Sequence, residues 1–414
     1  MAAIGEPIRS GRATALLAFG LIVNLTPLAT FAAVLPEITR AWGLSASEAG
    51  WIGGIYFGGY ALSVPVLASL TDRIDGRRIF IGCSLLGALA SFAFAGCADG
   101  FWTALVLRFL NGVALAGVHM PGLKLLAERT SGRARARGTA IYVSSFTLGA
   151  AGSFLIAGAA DAALGWRATF TTSGIAPLSA IASIALLPPA SEAPPVTPLV
   201  FDFRPVLHNR ALMAYVLAFA GNLWEVSAVR AWFVAYLAWT LSLPHHYMTL
   251  PEPAVISGIA SLIGFPVSVA IAELALHWGP RAIVATCFAS VAILCALAAT
   301  TGGPTLVILP LLVLAQVASL ADASALASGA VAAADPSRRG TALAVYAFIG
   351  YMAAFFGPAV VGVALDRFGG ANHPLGWSAA FMVMTLGSTA AAWFMRAALR
   401  RHRESARCAR APGL

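Results

Sequence analysis

Between Val66 and Phe80 the chain reads VLASLTDRIDGRRIF, an apolar run, a short turn crowded with Asp72, Arg73, Arg77 and Arg78, and then a second apolar run. A turn this charged cannot lie in hydrocarbon, whereas the runs beside it can, because a helix satisfies its own backbone hydrogen bonds inside a membrane. The chain is therefore expected to cross a bilayer here and turn back. Composition points the same way. Of 414 residues, 59% are hydrophobic and only 10% charged, whereas soluble chains carry about 25% charged residues.

Working outward from that turn, apolar windows of spanning length recur at roughly 13–35, 48–70, 79–98, 102–127, 138–160 and 166–187. A second set lies at roughly 211–240, 254–276, 281–300, 304–334, 339–365 and 375–398, giving twelve expected spans. The first follows Arg9 and Arg12 and is too long for a signal-peptide core, so it reads as an uncleaved helix. Between the sets, the Pro-rich stretch PPASEAPPVTP cannot continue a helix. The expected organisation is an all-α integral membrane protein with a six-helix bundle over 1–187 and a linker over 188–210. A second six-helix bundle follows over 211–398, and a basic tail over 399–414.

The +9 net charge does not indicate nucleic acid, because the basic residues sit in short turns between apolar runs. With the N-terminus inside, only Arg40, Arg167 and Arg367 fall in outer segments, so the positive-inside rule predicts two cytoplasmic termini in a cytoplasmic membrane. Cys83, Cys97, Cys287, Cys295 and Cys408 form no C-x-x-C pair, which indicates neither a disulfide framework nor a zinc site. No cofactor or metal is expected. His245, His246 and Met248 form a compact cluster that reads as a solvated loop rather than a metal site.

The halves repeat each other. Arg137-Gly138-Thr139-Ala140 returns as Arg339-Gly340-Thr341-Ala342, Asp161 returns as Asp366, and Gly165-Trp166 with Phe170 returns as Gly376-Trp377 with Phe381. Leu70, Asp72, Arg73, Arg77 and Arg78 also fall on the pattern G-x-L-A-D-R-x-G-R-R, with Ala68 at its first glycine and Asp75 at its second. The chain thereby resembles the major facilitator superfamily of transporters, in which that pattern joins the second and third helices. The resemblance implies two parallel-repeat bundles with the substrate site near the midplane where they meet. It also implies that the acid of the turn bonds to neighbouring helix ends and holds the inner side shut. Arg108-Phe-Leu-Asn111-Gly112 is similar to the family's R-x-x-x-G motif of the fourth helix, whose arginine influences proton movement. Gly149, Gly152 and Gly158 supply small-residue spacing in the fifth span. The Gly-Pro pair of the antiporter branch is absent there and occurs instead as Gly357-Pro358 in the eleventh, which speaks against a drug antiporter.

A charge at the centre of a spanning helix costs about 2.5–3.5 kcal/mol on insertion scales, so each one needs a reason. Arg108, Glu225 and Asp322 lie well inside their windows and are the candidates for proton coupling. His119 returns to nearly the face of Arg108 about 16 Å further along the helix. Asn222, Glu225 and Trp232 share one face, read as a polar and aromatic cavity wall with Glu225 as proton carrier, while Arg230 is turned about 140° away and is expected to snorkel to the interface. The structural alternative for Glu225 is an ion pair with Arg108 that locks the bundle. Asp322 has no cation near it in sequence and must find a partner on another helix, hold a proton or face water. Asn24 precedes Pro27, which removes a backbone donor beside the cavity. Asn24, His119, Asn222 and Trp232 are the candidates for substrate contact, and Asp72, Arg73, Arg77 and Arg78 for the inner gate.

No G-x-x-x-x-G-K-[ST] exists to drive primary transport. The expected function is non-enzymatic: a monomeric secondary transporter that moves a small solute by alternating access, coupled to protons, with the lipid bilayer as its other partner. Passage of a transition metal or inorganic anion, or a non-transporting sensor on the same fold, are the alternatives.

Overall fold

The structure, a computed structural model, describes residues 5–71, 73–187, 204–244, 249–335 and 338–408. Asp72, most of the linker, and His245, His246 and Met248 lie outside the described residues. Among those described, the chain is helical throughout. The first half holds α1 (Gly5–Asn24), α2 (Pro27–Ala33), α3 (Leu35–Trp42) and α4 (Ala46–Leu70), then α5 (Gly76–Cys97), α6 (Phe101–Arg129), α7 (Gly132–Leu164) and α8 (Trp166–Ala185). The short α9 (Arg204–His208) falls inside the stretch read as linker. The second half holds α10 (Arg210–Leu241), α11 (Pro253–Trp278), α12 (Pro280–Thr300), α13 (Thr305–Ala321), α14 (Ala323–Ala333), α15 (Arg339–Arg367) and α16 (Pro374–Cys408).

Among the described residues, twelve spans are long and apolar enough to cross a membrane, with α1 and α2 forming the first and α13 and α14 the tenth. The face at which α1 begins is here called the terminal face, and the opposite one the distal face. Leu62, Val66, Trp102, Val106 and Trp393 stand exposed around the bundle. So much exposed apolar surface suits lipid and not water.

Two spans are broken, and each break has a local cause. Pro27 cannot donate a backbone hydrogen bond, so the first span opens at Leu25 and Thr26. The freed groups are taken up within the protein: Ser153 Oγ donates to Thr26 O at 2.6 Å and accepts from Ala29 N at 2.9 Å. The tenth span was expected to run unbroken, but it is interrupted at Asp322, whose side chain accepts from Asn222 of α10.

The halves meet chiefly where α4 lies along α15 and α7 along α11. Glycine makes the first contact possible: a Cβ on Gly54 would fall on the carbonyl oxygen of Phe355, and one on Gly50 on that of Pro358. On α7, Gly149 meets Leu25 and Gly158 meets Ala254 and Val255, as expected of small-residue spacing, but Gly152 has nothing within 4 Å and packs no partner. The repeated aromatic pairs do similar work in both halves. Phe170 stacks on Phe94 at 3.7 Å, and Phe381 meets Tyr236 edge-on at 4.7 Å.

Candidate functional site

Gly112 sets the position of Arg108. It lies one turn further on α6 and lets that helix press onto the backbone of Tyr56, where any Cβ would collide. The approach seats the Arg108 guanidinium over the Tyr56 ring, 4.6 Å from its centroid, with Phe31 at 5.9 Å. Two carbonyls of the first turn of α2 complete its surroundings, Pro27 O at 2.5 Å from Nη1 and Leu28 O at 3.1 Å from Nη2. Its Nε is buried without a partner.

A narrow cavity runs between the halves beside this arginine. Leu28, Phe31, Phe57 and Arg108 line it from the first half, and Arg230 and Trp232 from the second. Arg230 was expected to snorkel to the interface, yet it is buried, at 8% exposure. The reason is depth: α10 continues for another eleven residues, about 16 Å, beyond it, farther than the side chain can reach. Arg230 has no hydrogen-bond or ion-pair partner among the described residues, and its Nε is also buried and unpaired.

The wall expected from Asn222, Glu225 and Trp232 is divided. Trp232 faces the cavity and donates through Nε1 to Pro358 O at 3.1 Å. Glu225 instead points into the second half, where Ser290 and Ser388 donate to its two carboxylate oxygens. Asn222 points the same way and donates to Asp322 Oδ1 at 2.6 Å and Ser319 O at 2.8 Å. The thiol of Cys287 donates to the other Asp322 oxygen at 3.4 Å. No ion pair joins Glu225 to Arg108: the carboxylate is taken up by two serines of its own half, and the guanidinium lies on two carbonyls and an aromatic ring of the other. Neither Glu225 nor Asp322 has a cation at ion-pair distance among the described residues.

The remaining candidates take lesser positions. Asn24 donates back to Gly20 O on its own helix at 2.8 Å. His119 Nδ1 and Tyr60 Oη lie 2.8 Å apart, tying α6 to α4, and the Tyr60 ring meets Tyr351 of the second half at 4.1 Å. In the charged turn, Arg73 and Arg78 are exposed, while Arg77 donates to Asp75 and, through Nη1, to Leu187 O at 3.0 Å. Asp75 accepts from the Arg77 amide and so caps α5. The residue read as a departure from the pattern is thus the turn's anchor. Ser290 and Ser388 escaped sequence reasoning, although a hydroxyl within an apolar span is a signal worth pairing with a buried acid.

The fold and the shared cavity define a multi-pass helical membrane protein with a cavity between its two halves. The profile of the Major Facilitator Superfamily matches residues 17–319, and the chain belongs to that superfamily. It is 24% identical over 241 residues to the "Probable L-galactonate transporter" of Escherichia coli (54% of this chain, 53% of that one). To the "Probable 4-methylmuconolactone transporter" of Cupriavidus pinatubonensis it is 32% identical over 155 residues (36% and 35%). The aligned stretches thus span about a third to a half of these relatives. Among solved structures, a bacterial homologue of the human lysosomal transporter Spinster, inward-facing and occupied, superposes with a TM-score of 0.79 at 17% identity, covering 94% of this chain and 96% of that one.

Proposed function

We propose that the protein is a secondary transporter of a small organic solute, driven by protons and working by alternating access between its halves. Both termini lie in the cytoplasm on this reading, and one chain suffices. The observation that carries it is the pair of acids inside the second half. Glu225 rests on serines of α12 and α16, Asp322 on Asn222 and Cys287, and among the described residues no cation compensates either. A permanent charge there would be costly, so acids kept at such sites suit groups that take up and release protons.

Helix α10 links those acids to the cavity. It carries Glu225 on the side facing α12 and α16, and Arg230 and Trp232 five and seven residues later at the cavity. A change of charge on Glu225 alters how α10 grips its neighbours and hence how it presents those two side chains. The relatives named "Probable L-galactonate transporter" and "Probable 4-methylmuconolactone transporter" support a small organic cargo.

Proteoliposomes with an imposed pH gradient test the coupling. Glu225→Gln and Asp322→Asn are expected to lose gradient-driven accumulation while keeping solute exchange. Unchanged accumulation in both variants rules these residues out as carriers.

A further inference from the structure

Arg230 presents an unusual account of charge. Apolar spans surround it, it is almost fully buried, and it has no hydrogen-bond or ion-pair partner among the described residues; the groups that act on its charge are the neutral phenols of Tyr351 and Tyr56, and no carboxylate does. A cation in that setting is expensive to keep and is retained when something outside the chain completes it. Arg108 faces the same cavity from the opposite half, anchored by two carbonyls and an aromatic ring but with no anion of its own. Between them, Phe31, Phe57, Trp232 and Leu28 offer apolar and aromatic surface and no acidic group.

We propose that Arg108 and Arg230 are the two sides of an anion site that takes the carboxylate of a small monocarboxylic substrate, whose apolar body lies among Phe31, Phe57 and Trp232. The inference rests on the transport reading above and gives its cargo a chemical class. A guanidinium presents a planar fork of donors that matches a carboxylate, which a lysine ammonium does not. The two forks belong to different halves, so one bound carboxylate draws the halves together around it. An inorganic anion would satisfy the charges but leave the aromatic surface without use. The arginines also divide the work: Arg108 holds the broken first span and is positioned by it, whereas Arg230 has nothing to hold except the ligand.

Thermal unfolding of the purified protein in lipid nanodiscs provides the test. The probes are small aromatic and aliphatic monocarboxylates, each beside its primary amide, together with nitrate and phosphate. At least one carboxylate is expected to raise the melting temperature by several degrees, and its amide is not. Arg230→Gln is expected to melt no lower than the wild type without ligand, since it removes an uncompensated charge, and to bind that carboxylate at least tenfold more weakly. Arg230→Lys, which keeps the charge and loses the fork, is expected to bind weakly too. Equal stabilisation by acid and amide, stabilisation by nitrate or phosphate alone, no response to any probe, or undiminished binding by Arg230→Gln each overturns the assignment. The two readings fail separately. Carboxylate binding that persists alongside proton-independent transport sinks only the coupling, and proton-driven transport of a neutral solute with no carboxylate binding sinks only this site.

Discussion

Asp366, in the last turn of α15, closes onto Ser47, in the first turn of α4, across the boundary between the halves. Its carboxylate accepts from the Ser47 amide at 2.8 Å, the Ser47 hydroxyl at 2.5 Å and the Ala46 amide at 3.0 Å. Ser45 and Glu48 form a capping box beneath it, with the Ser45 amide donating to Glu48 at 2.8 Å and the Glu48 amide to Ser45 Oγ at 3.2 Å. The orphan amides of α4 are therefore shared between its own capping residues and an acid of the other half. Removing that acid costs about 1 kcal/mol of capping, equivalent to about fivefold in the opening equilibrium of the distal face. Asp366→Ala is expected to speed thiol labelling of Ala49→Cys, a buried cavity position, by about that factor in a cysteine-free background. Unaltered labelling would show that the latch does not hold this face.

Gly54 and Gly152 make a matched pair for testing close approach. A methyl on Gly54 would meet the Phe355 carbonyl, which the helix cannot move without separating α4 from α15. Overpacking of this kind costs about 1–3 kcal/mol, so Gly54→Ala is expected to lower the melting temperature by several degrees and slow transport. A methyl on Gly152 meets nothing, and Gly152→Ala gains up to about 1 kcal/mol from helix propensity. The reverse order of stabilities in a thermal shift measurement would refute the packing argument.

The sequence was legible where hydropathy and periodicity suffice. Span number and the bulk of each helix follow from apolar length, and the opening of the first span follows from Pro27. The interruption at Asp322 was not legible, because neither glycine nor proline marks it; a side-chain bond to Asn222 accompanies it. Periodicity placed Glu225 and Arg230 on opposite sides of α10 but gave no means of telling which side faces the other half. Reading the acid as the cavity residue was natural and reversed: Ser227, Arg230 and Ala231 line the cavity, and only Trp232 of the expected wall joins them. The serines that hold Glu225 come from spans 65 and 163 residues away. Contacts at that separation leave no local pattern in one chain.

Asn222 bridges Asp322 and the Ser319 carbonyl where the tenth span is interrupted, so its removal strands two buried acceptors at once. Unsatisfied groups of this kind cost about 1–3 kcal/mol. Asn222→Ala is expected to destabilise by that much, and Asp322→Ala by a similar amount through loss of the same bond. Because the residues act on each other, the double variant is expected to fall short of the sum of the two by at least about 0.5 kcal/mol. Denaturation of the four proteins in one detergent measures the cycle, and strict additivity would mean that the two side chains are not coupled.

Asp75 gives the charged turn a pH dependence of definite sign. The hydrogen bond from the Arg77 side chain holds its carboxyl below the ordinary aspartate range, and the bond from the Arg77 amide adds to this. A depressed folded-state value means that the ionised form is favoured in the folded turn. The stabilisation is therefore complete above the unfolded value of about 3.9, and it disappears as pH falls through the lower folded one. Asp75→Asn places the turn in its acid condition at every pH. At neutral pH the variant is expected to show faster hydrogen exchange than the wild type at the first amides of α5. Below the folded-state value the two should exchange alike after correction for intrinsic rates. Equal exchange at neutral pH would mean that the charge of Asp75 adds nothing to the start of α5 beyond what a neutral capping side chain supplies.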